Sequence, residues 1–134
     1  MKQIGIWIDK REAKIITLEG KNEWLTVVES NIEDYNPKGG SGTKFKGGPQ
    51  DVVQDSKYFE REHHQMANYF AKIADEIIFA DEIVIFGPAQ AGSKLNDEFA
   101  KKYPKIKAKV KAVEKADNMT DNQLKAWVRT FYNL

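Results

Sequence analysis

The sequence contains no cysteine, which excludes disulfide bonds and thiolate metal sites. No apolar run approaches the roughly 20 residues of a membrane-spanning helix, and the first residues turn polar at Asp9, without the apolar run of a signal peptide. We therefore expect a cytoplasmic protein that makes no membrane contact.

With 41% hydrophobic and 31% charged residues among 134, the composition is that of one globular domain, which we expect to span residues 1–134.

The chain also has almost no excess charge, because 21 basic side chains are balanced by 20 acidic ones. The distribution along the chain is uneven. Residues 37–50 hold three lysines and no acid, and residues 101–115 hold seven lysines and one glutamate. Local clusters of one sign matter more than the total charge for a polyanionic partner, so these two segments are candidate contacts for nucleic acid.

The first thirty residues predict three strands joined by short polar turns. Ile4, Ile6 and Ile8 alternate with other residues, and two further strands follow over residues 13–18 and 24–30. Strands joined by such short turns form an antiparallel meander. The next segment, 31–55, carries five glycines and two prolines, and we interpret it as a long, flexible, basic loop.

Helical periodicity then predicts a helix over residues 56–79, with Ser56 as a candidate N-cap. The apolar segment 82–86 predicts a strand at the centre of a sheet, and a second helix follows over residues 92–103. A last helix over 120–132 opens with the capping-box spacing of Thr120 and Gln123.

Residues 107–113 alternate like a strand, with Lys107, Lys109 and Lys111 on one face. This face predicts either a phosphate-binding surface, together with the preceding Lys101, Lys102 and Lys105, or an edge strand that its charge protects from pairing. The element order is then β-β-β-α-β-α-β-α. It predicts an α/β protein of ribonuclease H-like topology, in which helices flank a five-stranded mixed sheet.

Several short motifs follow one another along the chain: Pro37-Lys38, Gly47-Gly48, Tyr58-Phe59-Glu60-Arg61-Glu62, Ile83-Val84-Ile85-Phe86-Gly87-Pro88 and Lys94. In this order they resemble the middle domain of the eukaryotic and archaeal class 1 peptide release factors and of Pelota. That domain has a Pro-Lys step, a Gly-Gly-Gln loop, an Arg/Phe-rich helix start and an apolar strand that ends in Gly-Pro before a lysine. The resemblance covers nearly the whole chain and implies association with the ribosome.

The sequence departs from this family at the tip of the loop. In release factors the Gly-Gly-Gln tip enters the peptidyl transferase centre and helps water attack the peptidyl-tRNA ester. Here Pro49 follows Gly47-Gly48, and Gln50 comes one residue late. Proline fixes φ and removes a backbone N–H where the family has glutamine. The chain thus resembles a stand-alone bacterial relative without an intact Gly-Gly-Gln motif. The resemblance implies a non-catalytic, cofactor-free role in rescue, quality control or dormancy.

The candidate binding residues are mostly basic, since lysines neutralise the phosphates of rRNA or tRNA on the ribosome. Phe45 joins them because aromatic rings stack on unpaired RNA bases. The candidates are Lys38, Lys44, Phe45, Lys46, Gly47, Gly48, Gln50, Arg61, Lys94, Lys101, Lys102, Lys107, Lys109 and Lys111.

A metal-dependent nuclease of the ribonuclease H-like class is an alternative. Such an enzyme would bind divalent ions through Asp9, at the end of the first strand, and other carboxylates. The fourth strand, however, ends in Phe86-Gly87-Pro88 without a carboxylate. Asp9 and Gln50 are therefore weak catalytic candidates. No metal site is predicted, because the adjacent His63 and His64 point about 100° apart on a helix.

A protein–protein interaction module is a third class. Trp7, Trp24 and Trp127 could anchor a partner, although all three are also explained as core residues.

Overall fold

The computed structural model of the protein describes residues 1–32 and 48–134, and the side chains of residues 1–32, 61 and 63–134. Three strands open the chain and are followed by a long helix. Two further strands and three shorter helices complete it. The elements are β1 (Lys2–Ile8), β2 (Glu12–Glu19), β3 (Asn22–Glu29), α1 (Gly48–Ile77), β4 (Glu82–Gly87), α2 (Ala91–Lys102), α3 (Pro104–Lys107), β5 (Val110–Lys115) and α4 (Asp121–Phe131).

The strands form one mixed sheet in the order β3-β2-β1-β4-β5. β1 to β3 pair antiparallel, as a meander should, while β1, β4 and β5 run parallel. This confirms the predicted five-stranded mixed sheet flanked by helices, and it confirms β5 as an edge strand.

Both faces of the sheet are covered by helices. α1 and α2 pack on the face that carries Ile4, Ile6 and Ile8, because alternate residues of a strand share one face. α4 packs on the other face, where Trp7 and Phe86 are buried. The predicted capping box starts α4: Thr120 Oγ1 accepts the N–H of Gln123, and Gln123 Oε1 accepts the N–H of Thr120. Among the described helices, none combines the length and apolarity that crossing a membrane requires.

The start of α1 differs from the prediction, because the helix begins at Gly48 and not at Ser56. Residues 48–55, predicted as loop, are thus helical, and the rest of the predicted loop from residue 33 to 47 lies outside the described residues. Proline is compatible with the first helical turn, where its missing N–H would have no intrahelical partner. Pro49 is therefore the second residue of a helix, whereas the sequence pattern predicted that it lies in the loop.

The start of β5 also differs, because residues 104–107 form the short helix α3 and the strand begins only at Val110. Pro104 occupies the first position of α3, which suits its fixed φ, and Ile106 points into the core with 6% of its surface exposed. A hydrogen bond from the Lys109 N–H to the Ile106 carbonyl completes the turn. The predicted strand face of Lys107, Lys109 and Lys111 is therefore wrong.

Candidate nucleic-acid interface

The release-factor-like tip lies at the start of α1. Gly48 and Gln50 belong to the first turn of this helix. The other loop candidates lie outside the described residues, so their role stays a prediction; they are Lys38, Lys44, Phe45, Lys46 and Gly47.

A cluster of exposed lysines lies where α2 meets α3. Lys101 and Lys102 occupy the last turn of α2, where cations oppose the negative end of the helix dipole. Lys105 follows on α3, after the chain turns at Pro104. Lys102 Nζ lies 3.1 Å from Glu98 Oε2 on the same helix. In the described part of the chain, no ion pair engages Lys101 or Lys105, so both ammonium groups are available to an anionic partner.

The remaining lysines of this region, Lys107, Lys109 and Lys111, do not form a continuous surface with the cluster. Lys107 is half-buried at the end of α3. Lys109 Nζ donates to the carbonyl of Ile78 at 3.4 Å, and Lys111 Nζ lies 3.8 Å from Glu82 Oε2. The last two charges thus contact the chain itself.

A cleft of about 510 Å³ separates α1 from α2. Both helices pack on the same sheet face, and each presents a stripe of residues three, four and seven apart to the other. On the α1 side the cleft is lined by His63, His64, Met66, Ala67 and Phe70. On the α2 side it is lined by Lys94, Asp97, Glu98, Lys101 and Lys102. The sequence predicted Lys94, Lys101 and Lys102 as binding residues, but their position opposite both histidines follows only from the packing of the two helices.

Arg61 precedes the cleft residues on α1. Its side chain is exposed and already interacts within the chain. Along α1, Arg61 lies one turn before His64.

The Asp9 carboxylate has a structural role. Its Oδ1 accepts the backbone N–H groups of Arg11 and Glu12 at 2.8 and 2.9 Å, which closes the β1–β2 turn. Within the described residues, no group of three or more His, Asp or Glu side chains could hold a metal ion. The side chains that the structure describes therefore offer no carboxylate set of the kind that two-metal nucleases need.

A second cavity, of about 660 Å³, opens beside this turn. Trp7 lines it, and the Trp7 indole N–H is buried without a hydrogen-bond acceptor in the described part of the chain. The side chains of Arg11, Lys14, Glu29 and Asn31 complete a mixed, polar wall. Since both signs of charge line it, this cavity lacks the excess positive charge that a polyanion requires.

The tryptophans divide into two groups. Trp7 is 5% exposed and belongs to the core as predicted. Trp127 is half-buried and packs against the core on Phe86, with ring centroids 3.9 Å apart. Trp24 on the edge strand β3 is 42% exposed, so its explanation as a core residue is wrong. β3 is the outermost of the described strands, and none of them lies beyond it on the side of its free edge.

Comparisons with known proteins identify the fold. No protein-family model and no curated protein matches the chain. An archaeal translation termination factor, aRF1, matches 99% of the chain with a TM-score of 0.63 and 10% sequence identity. Pelota from Thermoplasma acidophilum matches 97% with a TM-score of 0.57 and 17% identity, and Pelota from Archaeoglobus fulgidus matches 98% with 0.56 and 10%.

The chain covers 35%, 32% and 35% of these three proteins, or about a third of their length. At such identities the likeness concerns the fold. This chain therefore has the ribonuclease H-like fold of the middle domain of class 1 release factors and Pelota.

Proposed function

We propose that this chain is a non-catalytic, translation-factor-like protein that associates with the ribosome, or with rRNA or tRNA, through exposed lysines. The observation that carries the proposal is the likeness of the fold, over 99% of the chain, to a translation termination factor. The basic cluster of Lys101, Lys102 and Lys105 supplies a surface suited to phosphates. The predicted loop lysines, Lys38, Lys44 and Lys46, would supply a second one.

The local structure at the start of α1 is the reason why we expect no hydrolysis of peptidyl-tRNA. The Gly-Gly step is followed by a proline that lies inside α1, and Gln50 belongs to the same helical turn. A glutamine at the tip of an irregular loop can present both its backbone and its side chain to a substrate, whereas a backbone in a helix is constrained. Rescue, quality control or dormancy are the roles that agree with binding without hydrolysis.

Sedimentation with ribosomes through sucrose gradients at two salt concentrations tests the proposal. The total charge of +1 is too small to attract the whole molecule, so the local cluster should decide binding. We expect Lys101→Ala/Lys105→Ala to weaken co-sedimentation. The slope of log K against log[salt] should fall by about 0.7–0.9 for each phosphate that the variant no longer neutralises.

A matched control has the same change in net charge at distant positions. Lys21→Ala/Lys125→Ala removes two positive charges from the β2–β3 turn and from α4. We expect this variant to sediment as the parent does. If both double variants weaken binding equally, or if neither weakens it, the assignment of ribosome binding to this lysine cluster is contradicted.

A protein–protein interaction module is the second candidate, and the exposed edge strand β3 favours it. Trp24 and Val27 are 42% and 47% exposed there, and large apolar side chains on an unpaired edge are typical of partner-binding surfaces. Co-purification from lysate with and without ribonuclease separates the two candidates. Partners that survive ribonuclease and no longer bind the Trp24→Ser variant would favour the interaction module.

A further inference from the structure

The only two histidines of the chain line the same cleft. His63 and His64 are exposed on α1 and face the stripe of α2 that begins at Lys94. Lys94 and Lys101 are seven residues apart on α2, which corresponds to about 10 Å along a helix. The cleft is thus an elongated groove with positive groups at both ends of one wall and imidazoles on the other.

The charge of this groove depends on the two imidazoles. The described side chains that line it include three lysines and two acids, Asp97 and Glu98, which together with the imidazoles contribute +1 when both imidazoles are neutral and +3 when both are protonated. Glu98 is paired with Lys102 at 3.1 Å, whereas no ion pair in the described residues engages Lys94, Asp97 or Lys101.

The floor of the groove is apolar. Phe70 is 4% exposed and belongs to the main core, and Met66 is half-buried against it. An apolar floor beside a wall that carries three lysines suits a nucleic-acid strand, whose sugars and bases are less polar than its phosphates. An exposed acceptor such as the Asp97 carboxylate suits the 2′-hydroxyl that distinguishes RNA from DNA.

We propose that the cleft between α1 and α2 binds the phosphodiester backbone of single-stranded RNA, and that protonation of His63 and His64 strengthens this binding. The inference rests on the proposed function, because it names the RNA-binding surface and its regulation. Histidine is the side chain that ordinarily changes charge between pH 8 and 5. Since the chain has no cysteine and no third histidine, the α-amino group is the other ordinary source of a charge change in that range.

The test measures the affinity of a fluorescent 20-nucleotide poly-uridine for the full chain at pH 7.5 and 5.5 and at several salt concentrations. Each histidine that gains a proton neutralises one more phosphate, which on a single strand raises the salt slope by about 0.7 and the affinity at 0.1 M salt by about fivefold. We expect tighter binding at pH 5.5, by up to about 25-fold for the two histidines.

Three variants locate the effect. His63→Gln/His64→Gln should abolish the difference between the two pH values. Lys94→Ala/Lys101→Ala should weaken binding at both pH values, because lysine is charged at each of them. Lys21→Ala, on the β2–β3 turn, should change neither the affinity for the RNA nor its difference between the two pH values. All the substituted positions are exposed, and circular dichroism at both pH values checks that each variant is folded.

Equal affinity and salt slope of the parent at the two pH values would overturn the proposal, as would a pH response that persists in the double glutamine variant. Displacement of the RNA by poly-glutamate at equal charge concentration would assign the cleft to acidic peptides and would overturn it too. These failures are distinct from failure of the proposed function. That function fails if the parent chain does not sediment with ribosomes, whatever the variants do.

Discussion

Two tyrosines, one buried and one half-buried, show how single residues connect the helices to the sheet. Tyr69 of α1 donates its O–H to the backbone carbonyl of Asp9 at 3.0 Å, and Tyr132, just after α4, donates to the carbonyl of Ile4 at 2.9 Å. Burial raises the pKa of the Tyr69 phenol, and the nearby carboxylates of Asp9 and Glu12 add to this effect. Burial likewise raises the pKa of Tyr132, with a smaller effect from Glu82.

These raised pKa values predict a loss of stability in alkali. An unfolded tyrosine ionises near pH 10, while Tyr69 and Tyr132 keep their protons in the folded state. The contribution of these two protonated phenols to the free energy of unfolding is complete below pH 10 and is lost as the pH rises above it. We expect the free energy of unfolding from urea denaturation to fall between pH 9.5 and 11, and Tyr69→Phe/Tyr132→Phe to make this fall shallower. The double variant should lose about 0.5–1.5 kcal/mol per hydrogen bond at pH 8. An unchanged alkaline slope would contradict this explanation.

The contact between α4 and β1 depends on a residue without a side chain. A Cβ at Gly5 would lie 2.3 Å from Val128 Cγ2 and 3.0 Å from Val128 Cγ1. Valine is stiff at χ1, so these atoms have little freedom to move aside. Gly5 therefore sets the depth at which α4 packs on the second face of the sheet.

We expect Gly5→Ala to lower the free energy of unfolding by about 1–3 kcal/mol, because the added methyl group overpacks this contact. Thermal or urea denaturation measures the change. Val128→Ala also destabilises on its own by leaving a cavity, but the double variant should lose less stability than the sum of the two single variants. Strict additivity would show that Gly5 and Val128 do not share the space.

In the whole molecule, burial is concentrated in the middle of the sheet. β1 and β4 lie side by side with helices on both faces, and Ile6, Ile8, Ile83, Ile85 and Phe86 are fully buried. β3 at one edge exposes Trp24 and Val27. Regions with little buried surface open locally, whereas the best-buried strands open only with global unfolding.

We expect the amides of β1 and β4 to show the slowest hydrogen exchange in the chain, with opening free energies equal to the global free energy of unfolding. The hydrogen-bonded amides of β3 should exchange faster, through local separation from β2. Exchange followed by nuclear magnetic resonance at increasing urea concentrations measures both. Equal protection of β3 and β1 would mean that the sheet opens as a single unit.

Local order in this protein could be predicted from the sequence, because it depends on neighbours along the chain. The alternation at Ile4, Ile6 and Ile8 predicted β1, the apolar run at 82–86 predicted the central strand β4, and the spacing of Thr120 and Gln123 predicted the cap of α4. A two-residue or four-residue period reflects which face of an element is buried. The order of the elements then sufficed for the five-stranded mixed sheet.

The tertiary structure alone decided where β5 begins and which side chains of different elements meet. Alternating lysines at 107–113 satisfy a strand pattern, but burial of Ile106 after Pro104 makes residues 104–107 helical and separates those lysines. Likewise, nothing local relates His63 and His64 to Lys94, thirty residues later. They share a cleft because α1 and α2 pack side by side on one sheet face. Periodicity specifies the orientation of a residue within its own element, whereas distances between elements arise only when their buried faces share one core.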